Sequence, residues 1–418
     1  MTQEPKIFPY IERLLQDAEV VWKPLGEVAE YIRGITYNKQ AEIQHKDGWK
    51  VLRANNITLK SRQLDFNDIK VIDKSIKVRD NQHLYKGDIL ICAGSGSREH
   101  IGKTAYIFEN LEYIFGGFMG VIRTNEEYLL SRFLFHYLGS SSFSTYLNKE
   151  LNSSTINNLN SSIMNKFQIP LPPLSVQQEI VRILDKFTEL EAELEAELDC
   201  RKRQYDYYRN HLLSYEENEV EWKTLGEVVK TTKNIKWQNN ENTYDYIDLT
   251  SVCRETGNVL ETLKIKADNA PSRAQKMVQL DDVIFATTRP SQMRIALIPK
   301  KFDGQIASTG YCILRADKVN VLPKWIFFTL STTEFKKFVA ENQSGTAYPA
   351  ISDSKLKEFK IPLPPLSEQQ RIVGILDKFD TLVHSISEGL PREIELRKKQ
   401  YEYYREQLLS FPEYKVTA

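Results

Sequence analysis

The chain has 418 residues, 41% of them hydrophobic and 27% charged, a composition typical of a folded protein with more than one domain and not of a disordered chain. Its 56 basic and 56 acidic side chains cancel, so the net charge gives no indication of a nucleic-acid partner. The N-terminus lacks an apolar run of signal-peptide length, no stretch approaches 18 consecutive apolar residues, and the four cysteines are far apart, so we expect a cytoplasmic protein with no membrane span, disulfide framework or cysteine metal site.

The first predicted domain covers residues 22–168 and follows an N-terminal arm, residues 1–21. It opens with WKPLGEV at 22. Short apolar segments typical of strands follow, DILIC at 88 and YIF at 113, and then an amphipathic run, LLSRFLFHYL at 129. This mixture predicts an α+β domain.

A helical spacer is predicted next, at residues 169–215. Its Pro-Pro pair resists helix, and Ser175 with Gln178 matches a capping box, so we expect the helix to begin there and to run roughly 60 Å to about Ser214. Apolar residues three and four apart form a narrow stripe that predicts a coiled-coil seam: Ile180, Ile183, Phe187, Leu190 and Leu194.

The same plan is predicted again for the rest of the chain. A second α+β domain at residues 216–360 contains WKTLGEV at 222, DVIFA at 282, RIALI at 294 and KWIFFTLSTTEFKKFV at 324. The second spacer, residues 361–411, repeats the capping pattern at Ser367 and Gln370, and its stripe is Ile372, Ile375, Phe379, Leu382 and Ile386. Gly389 and Pro391 should interrupt this helix near residue 390, and residues 412–418 form a tail.

These similarities identify a tandem duplication. IPLPPLSVQQEIVRILDKF at 169 returns as IPLPPLSEQQRIVGILDKF at 361 with 16 of 19 positions identical, and RKRQYDYYRNHLLSY at 201 returns as RKKQYEYYREQLLSF at 397 with 10 of 15 identical. KGDILICAGSGS at 86 also aligns with LDDVIFATTRPS at 280. We expect the matching helices to pair with each other, and the N-terminal arm to complete the end of the second copy in a near-circular arrangement.

Charge is distributed unevenly along this plan. Residues 22–168 carry 19 basic and 15 acidic side chains and residues 222–360 carry 21 and 15, whereas residues 169–221 carry 6 and 13. Both domains are therefore mildly basic and the first spacer is acidic, which is only weak support for nucleic-acid binding.

Enzyme motifs are absent from the sequence. Gly102, Lys103 and Thr104 resemble the end of a phosphate-binding loop, but Ser97 occupies the place of its first glycine, so we interpret them as entry to a strand. GGFMG at 116 is interpreted as a turn at a strand edge, and the six histidines show no metal-binding spacing. No [ND]PP[YF] motif of an amino-methyltransferase is present.

A duplicated α+β domain, each copy followed by IPLPPLSxQQxI and a helix ending RKxQYxYYRxxLLS, resembles the specificity subunit of type I restriction-modification systems. The resemblance implies two tandem target-recognition domains separated by long helices that form an antiparallel coiled coil, with a pseudo-two-fold internal repeat. It implies a non-catalytic subunit that binds double-stranded DNA, each domain recognising half of a bipartite asymmetric site. The implied partners are two methyltransferase subunits and ATP-driven restriction subunits. S-adenosylmethionine, ATP and magnesium would then be bound by those partners and no cofactor by this chain.

Base recognition requires donors and acceptors on exposed loops, and arginine suits guanine as asparagine and glutamine suit adenine. We expect these side chains on the loops after the two DIL-type strands: Ser95, Ser97, Arg98 and Lys103 in the first domain, and Thr287, Thr288, Arg289, Ser291, Gln292 and Arg294 in the second. Secondary candidates are Tyr37, Asn38, Lys39, Arg53, Asn55 and Asn56. Two polar segments are either turns or phosphate contacts: Ser153 to Thr155 and Ser344 to Thr346.

The tyrosines of the spacers invite a base-stacking interpretation, but their spacing favours packing. Tyr205 with Tyr208, and Tyr401 with Tyr404, continue the seam and are predicted to pack in the helical core or against a partner. Two other classes of function stay open at this point. A coiled-coil adaptor without DNA affinity would differ in binding to random DNA at low salt, and a methyltransferase with an unfamiliar cofactor site would bind labelled S-adenosylmethionine.

Overall fold

A computed structural model describes residues 8–16, 18–44, 47–59, 61–152, 158–385 and 387–412. The chain divides into two compact units. The first unit comprises residues 1–192 together with 396–418, and the second unit comprises residues 193–395. Residues 396–418, at the end of the second copy, therefore belong to the same unit as the start of the first copy. This grouping is the one expected for a near-circular arrangement.

The first unit is built of short helices and strands that precede a long helix. The helices are α1 (Pro9–Leu15), α2 (Leu25–Val28), α3 (Ser131–Tyr137), α4 (Ser141–Asn152), α5 (Ser161–Lys166) and α6 (Leu174–Leu212), whose last part lies in the second unit. The strands are β1 (Val21–Pro24), β2 (Ala29–Arg33), β3 (Trp49–Leu52), β4 (Lys70–Ile72), β5 (His83–Leu84), β6 (Ile89–Cys92), β7 (Thr104–Tyr106), β8 (Leu111–Phe115), β9 (Met119–Thr124) and β10 (Gln168–Leu171).

The second unit repeats this order. Its strands are β11 (Glu221–Thr224), β12 (Val229–Lys230), β13 (Tyr244–Ile247), β14 (Leu263–Ile265), β15 (Ala274–Met277), β16 (Val283–Ala286), β17 (Ile295–Leu297), β18 (Ile306–Ser308), β19 (Tyr311–Ala316) and β20 (Lys360–Leu363). Its helices are α7 (Leu225–Val228), α8 (Pro323–Thr329), α9 (Thr333–Asn342), α10 (Asp353–Leu356), α11 (Leu366–His384) and α12 (Leu390–Leu408), which ends in the first unit.

The sheet topology of the two units is the same. In the first unit the antiparallel sheet β2-β9-β6-β7 accompanies a sheet β4-β3-β8-β5 whose middle pair is parallel. In the second unit β12-β19-β16-β17 accompanies β14-β13-β18-β15, again with a parallel middle pair. The segments between the repeated blocks therefore have one common framework, as the duplication predicts.

A two-stranded ribbon joins the repeated blocks at the base of each unit. Trp22 of β1 lies opposite Pro170 of β10, and Trp222 of β11 lies opposite Pro362 of β20. The WKxLGEV and IPLPPL segments repeat together because each supplies one strand of the same antiparallel pair.

The strands predicted from DILIC and DVIFA are the central buried strands β6 and β16. Successive side chains of a strand point to opposite faces, and here Ile89 and Ile91 enter one hydrophobic cluster while Leu90 and Cys92 enter another. All four residues of β16 are buried in the same alternating way. A continuous apolar run is therefore required, because both faces of the strand are covered.

A buried ion pair precedes each of these strands. The Asp88 carboxylate accepts from Arg123 Nε at 2.7 Å and from its Nη2 at 3.0 Å, and Asp282 accepts from Arg315 Nε and Nη2 at 2.8 and 2.7 Å. Both aspartates are almost completely buried. The aspartate shared by the KGDIL and LDDVI segments thus has a structural role in both units.

The spacer helices confirm the predicted break and correct the predicted start. α6 is one helix of 39 residues, and the second spacer is divided into α11 and α12 around Gly389. The helices begin at Leu174 and Leu366, one residue before the serines. The capping-box prediction is wrong for α11, because its N-cap residue is Pro365 and no side chain caps it.

The first glutamine of each QQ pair is buried and hydrogen-bonds to backbone groups that precede its helix. Gln177 is buried, its Oε1 accepts from the Leu130 N–H at 2.9 Å, and its Nε2 donates to the Tyr128 and Pro172 carbonyls, both at 2.9 Å. Gln369 repeats this with Leu322, Asn320 and Pro364 at 3.0, 3.1 and 2.9 Å. Each amide satisfies three backbone groups where the domain meets its helix.

Within each unit two helical segments pack antiparallel. In the first unit Phe187 stacks on Tyr404 with ring centroids 5.3 Å apart, and Glu191 pairs with Lys398 at 3.2 Å. In the second unit Tyr208 stacks on Phe379 at 5.4 Å, and the Tyr205 hydroxyl donates to Asp380 at 3.2 Å. These tyrosines contact the opposite helical segment, whereas the coiled coil as a whole stays a prediction.

The apolar stripe is wider than the predicted narrow seam. Leu184 and Leu376, which lie outside the predicted stripe, are completely buried. Leu382, Tyr208 and Tyr404, which lie inside it, each keep more than a third of their surface exposed. Each helix contacts its own domain as well as another helical segment, so a wider face is covered.

The spacer helices also cap shorter helices of the α+β domains. The Glu406 carboxylate of α12 accepts from the Ser141 N–H at the start of α4, at 3.0 Å, and the Asn210 Oδ1 of α6 accepts from the Thr333 N–H at the start of α9, at 2.7 Å. Orphan N–H groups at helix starts favour such acceptors. The two contacts lie at corresponding positions and orient each domain on its helical segment.

One buried histidine distinguishes the first unit from the second. His136 is inaccessible to solvent, its Nε2 lies 2.8 Å from Asp185 Oδ1, and its Nδ1 lies 3.0 Å from the Tyr401 hydroxyl. Burial lowers the pKa of His136 to about 4, the neighbouring Arg132 acts in the same direction, and Asp185 opposes both. At the corresponding position, 192 residues later, the second unit has Phe328.

We expect the first unit to lose stability as the pH falls from about 6.5 to 4. The unfolded chain protonates His136 below its ordinary pKa while the folded chain resists, so the free energy of unfolding decreases by up to about 3 kcal/mol over this window. Chemical denaturation at several pH values measures it. His136→Phe, which copies the second unit, should flatten this part of the profile, and parallel profiles for the two proteins would exclude His136 as the group responsible.

Candidate nucleic-acid interface

A cleft of about 1390 Å³ opens on the first unit beside the ends of the central strands. It is lined by segments that follow β2, β3, β6 and β8. Its charged side chains include Arg33, Lys39, Arg53 and Lys103 against Glu42 and Asp65. The excess of positive charge and the mixture of amide, hydroxyl and aromatic groups suit a polyanionic ligand with polar edges.

Six of the ten predicted site residues of the first domain line this cleft: Tyr37, Lys39, Arg53, Asn55, Ser95 and Lys103. Three separate sequence segments supply them, and the fold brings these segments together. The Arg53 guanidinium donates to Asp68 at 2.8 Å, and Asn55 Nδ2 donates to the same carboxylate oxygen at 2.8 Å. Burial, and then the Glu42 carboxylate, raise the pKa of Tyr37, which keeps its hydroxyl as a neutral donor.

Two predicted residues of this domain have internal roles. Asn56 is buried; its Oδ1 accepts from the Arg53 N–H at 2.9 Å, and its Nδ2 donates to the Asp65 carbonyl at 2.8 Å. We therefore remove Asn56 from the candidates, because its amide already holds the loop together. Lys103 lies in the cleft, but its Nζ donates to the Ile57 carbonyl at 2.6 Å, and burial lowers its pKa.

The other candidates of the first domain lie at the surface. Ser97 and Arg98 are exposed on the loop after β6, where Arg98 begins a single turn of 3-10 helix, and Asn38 is exposed before another such turn. Ser153, Ser154 and Thr155 lie outside the described residues. As predicted, GKT leads into β7 and GGF forms the turn between β8 and β9.

In the second unit the loop after β16 joins a loop that is distant in sequence. Thr288 forms a β-bridge with Ala350, and Ala350 forms a second bridge with Ser344. Residues 287–293 and 344–350 thus make one projecting structure, which we call the two-loop lobe. In the first unit Gly94 and Asn158 form the corresponding bridge, so the two segments are joined at the same point in both units.

Within the lobe the predicted residues differ in accessibility. Arg289 and Ser291 are exposed, and Gln292 is half-buried. Thr287 is buried, and its hydroxyl donates to the Gly310 carbonyl at 3.0 Å. Arg294 donates from Nη1 to the Val252 carbonyl. Thr287 and Arg294 therefore hold the loop, and we remove them from the candidates.

Two exposed aromatic residues escaped the sequence analysis. Phe118, at the turn that borders the cleft, is 70% exposed, and Tyr348 in the lobe is 73% exposed. A single exposed ring is ordinary on a protein surface, so these two rings are candidates because Phe118 borders the cleft and Tyr348 belongs to the lobe, where the other candidates lie. The available signal was an aromatic residue inside an otherwise small or polar loop, GGFMG and SGTAYPA.

Other kinds of site find no support in the part of the chain that the structure describes. No group of three or more histidine, cysteine or acidic side chains there could hold a metal ion. No helix among those residues has both the length and the apolar surface to cross a membrane. Cys92 and Cys312 are buried, and burial raises the pKa of Cys312 to about 12, so neither is a reactive thiol.

Comparison of the sequence with known proteins matches both copies of the repeat to one family. A family model described as the type I restriction modification DNA specificity domain matches residues 18–199 and again residues 217–396. The chain is 32% identical to the EcoR124I/EcoR124II type I restriction enzyme specificity subunit of Escherichia coli, over 96% of this chain and 97% of that protein. It is 30% identical to a putative type I restriction enzyme specificity subunit of Haemophilus influenzae, over 96% of this chain and 98% of that protein.

A solved structure supports the fold independently. A chain from a study of complex assembly and conformational transition in the type I restriction-modification system superposes with a TM-score of 0.57. The alignment covers 95% of this chain and 99% of that chain, at 17% identity. The two chains therefore share the two-copy fold, although few of their residues are identical.

Proposed function

The chain belongs to the family of type I restriction-modification DNA specificity subunits, and on that basis we propose that each unit recognises one half of a bipartite, asymmetric DNA site. Members of this family recognise DNA without catalysing its modification or cleavage. The first unit would contact DNA through the loop after β6 and the adjoining cleft, and the second unit through the two-loop lobe.

One observation carries this proposal. The two units have the same sheets and the same buried Asp–Arg pair, yet the loops that follow their central strands differ at nearly every aligned position. GSGSREH at 94 in the first unit aligns with TRPSQMR at 288 in the second, and only the serine at positions 97 and 291 is shared. A repeated framework with unlike loops at one position suits two recognition surfaces for unlike sequences.

The helices would provide the spacing and the docking. We propose that α6, α11 and α12 fix the gap between the half-sites as an antiparallel coiled coil and bind two methyltransferase subunits, joined by restriction subunits in the complete enzyme. S-adenosylmethionine, ATP and magnesium would be bound by those partners, in the cytoplasm. The exposed rings of Tyr207 and Tyr403 beside the packed tyrosines support a protein contact along this face.

We expect Arg98→Ala and Arg289→Ala to relax different halves of the recognised site, because the two residues follow corresponding strands in different units. Each loss should be roughly 1 to 3 kcal/mol at one base position. Mapping methylated sites in cells that express each variant with its methyltransferase subunit measures both effects.

The same experiment contains its controls. Equal weakening at every sequence would identify a phosphate contact, and relaxation of the same half by both variants would contradict the division of labour between the units. The purified chain without its partner should transfer no methyl groups. Methyl transfer by that chain would contradict the proposal outright.

A further inference from the structure

The two-loop lobe of the second unit holds one arginine in a fixed, outward position. The Arg289 backbone is left-handed, with φ +50°, and its N–H donates to the Pro349 carbonyl at 2.7 Å. Pro290 follows directly and starts a single turn of 3-10 helix. A left-handed arginine is uncommon, and here backbone bonds from the neighbouring loop determine the conformation.

The second loop of the lobe is equally well defined. Ser344 and Ala350 exchange two backbone hydrogen bonds of 2.9 and 2.8 Å, and the Ile351 N–H donates to the Thr287 carbonyl at 3.0 Å. Gly345 has φ +94°, and a Cβ there would lie 3.0 Å from the Tyr348 carbonyl oxygen. The turn therefore requires glycine, and it places Tyr348 at the tip of the lobe.

The side chains of these two loops meet. The Arg289 guanidinium carbon lies 5.6 Å from the centre of the Tyr348 ring, a cation–π distance. Among the residues that the structure describes, no carboxylate lies within 4.0 Å of Arg289 and no hydrogen bond leaves its guanidinium. By contrast, Arg294 and Arg315 in the same unit donate to a carbonyl and to a carboxylate.

We propose that Tyr348 is a positioning residue that holds the Arg289 guanidinium over its ring for bidentate contact with a guanine, through O6 and N7 in the major groove. A guanidinium held over a ring keeps the N–H donors of its planar fork available, and a pair of acceptors on one base edge matches that fork. Ordering by the ring also reduces the entropy lost when the contact forms. This assignment rests on the proposed function of the second unit.

We expect the half-site of the second unit to contain one guanine whose N7 strengthens binding. This contribution should require both Arg289 and the Tyr348 ring. Once methylated-site mapping has identified the site, duplexes are made with 7-deazaguanine at each guanine of that half. The full chain with its methyltransferase subunit should bind one of them about 10-fold more weakly than the normal duplex. Arg289→Ala should weaken binding to the normal duplex roughly 5- to 150-fold and abolish the 7-deaza effect.

Tyr348 variants separate positioning from folding. Tyr348→Phe keeps the ring and should retain the 7-deaza effect, whereas Tyr348→Ala should lose most of it with an unchanged melting temperature. A full 7-deaza effect in Tyr348→Ala, or its absence at every guanine in the wild-type protein, would overturn the inference. Wild-type binding that does not distinguish the mapped site from a scrambled duplex would instead overturn the proposed function, and this comparison precedes any variant.

Discussion

Insertion of one Leu-Glu-Ala-Glu unit after Glu197 is expected to lengthen the gap between the two half-sites and to leave the half-site sequences unchanged. The segment LEAELEAEL at 190 already repeats a four-residue unit, and α6 runs through it without a break. Four added residues extend the helix by roughly 6 Å and keep the apolar residues close to phase. The resemblance to the family implies a step of about one base pair, and the helix rise sets an upper limit near two.

Methylated-site mapping with the insertion variant measures this directly. A scrambled insertion of the same composition, with leucine moved by one position, serves as the matched control, because it adds the same length but places the apolar residue off the stripe. An unchanged gap would show that this part of α6 does not set the spacing. Altered half-site bases would show that it also shapes a recognition surface.

Replacement of Asp282 with alanine is expected to destabilise the second unit by about 3 to 5 kcal/mol. Its carboxylate accepts from two guanidinium nitrogens of Arg315 and from the Gln279 N–H at 2.7 Å, and it is 1% exposed. The variant leaves a half-buried guanidinium without its counter-ion and frees the turn before β16. Chemical denaturation followed by tryptophan fluorescence measures the loss.

Asp377→Ala is the matched control in the same unit. The Asp377 carboxylate accepts from Lys324 at 2.6 Å, a shorter contact than that of Asp282. Both side chains of this pair are partly exposed. Solvent screens such a pair, so its loss should cost at most about 1 kcal/mol. Similar losses for the two variants would contradict the structural role of the buried pair. The Asp88 pair predicts the same contrast in the first unit.

Much of this architecture follows from local sequence. Spacing of apolar residues determines the long α6, the Gly389 and Pro391 positions determine the break between α11 and α12, and an apolar run after aspartate determines β6 and β16. These features depend on backbone geometry and on the spacing of apolar residues along the chain. Both are properties of residues that are close together in sequence. Because the chain is a duplication, the elements predicted from one copy are also expected in the other.

Contacts between segments that are distant in sequence depend on the tertiary structure. Nothing near Gln177 in sequence indicates that it serves the Leu130 and Tyr128 backbone, and nothing near Asn56 indicates that it is buried. Tyr348 lies 59 residues after Arg289, and the bridge from Thr288 to Ala350, with the backbone bonds beside it, brings the two together. Sequence spacing identifies which loops carry donors, but burial and partners depend on the packing of whole sheets. Only the fold therefore distinguishes an arginine that is engaged inside the protein from one that is exposed at the surface.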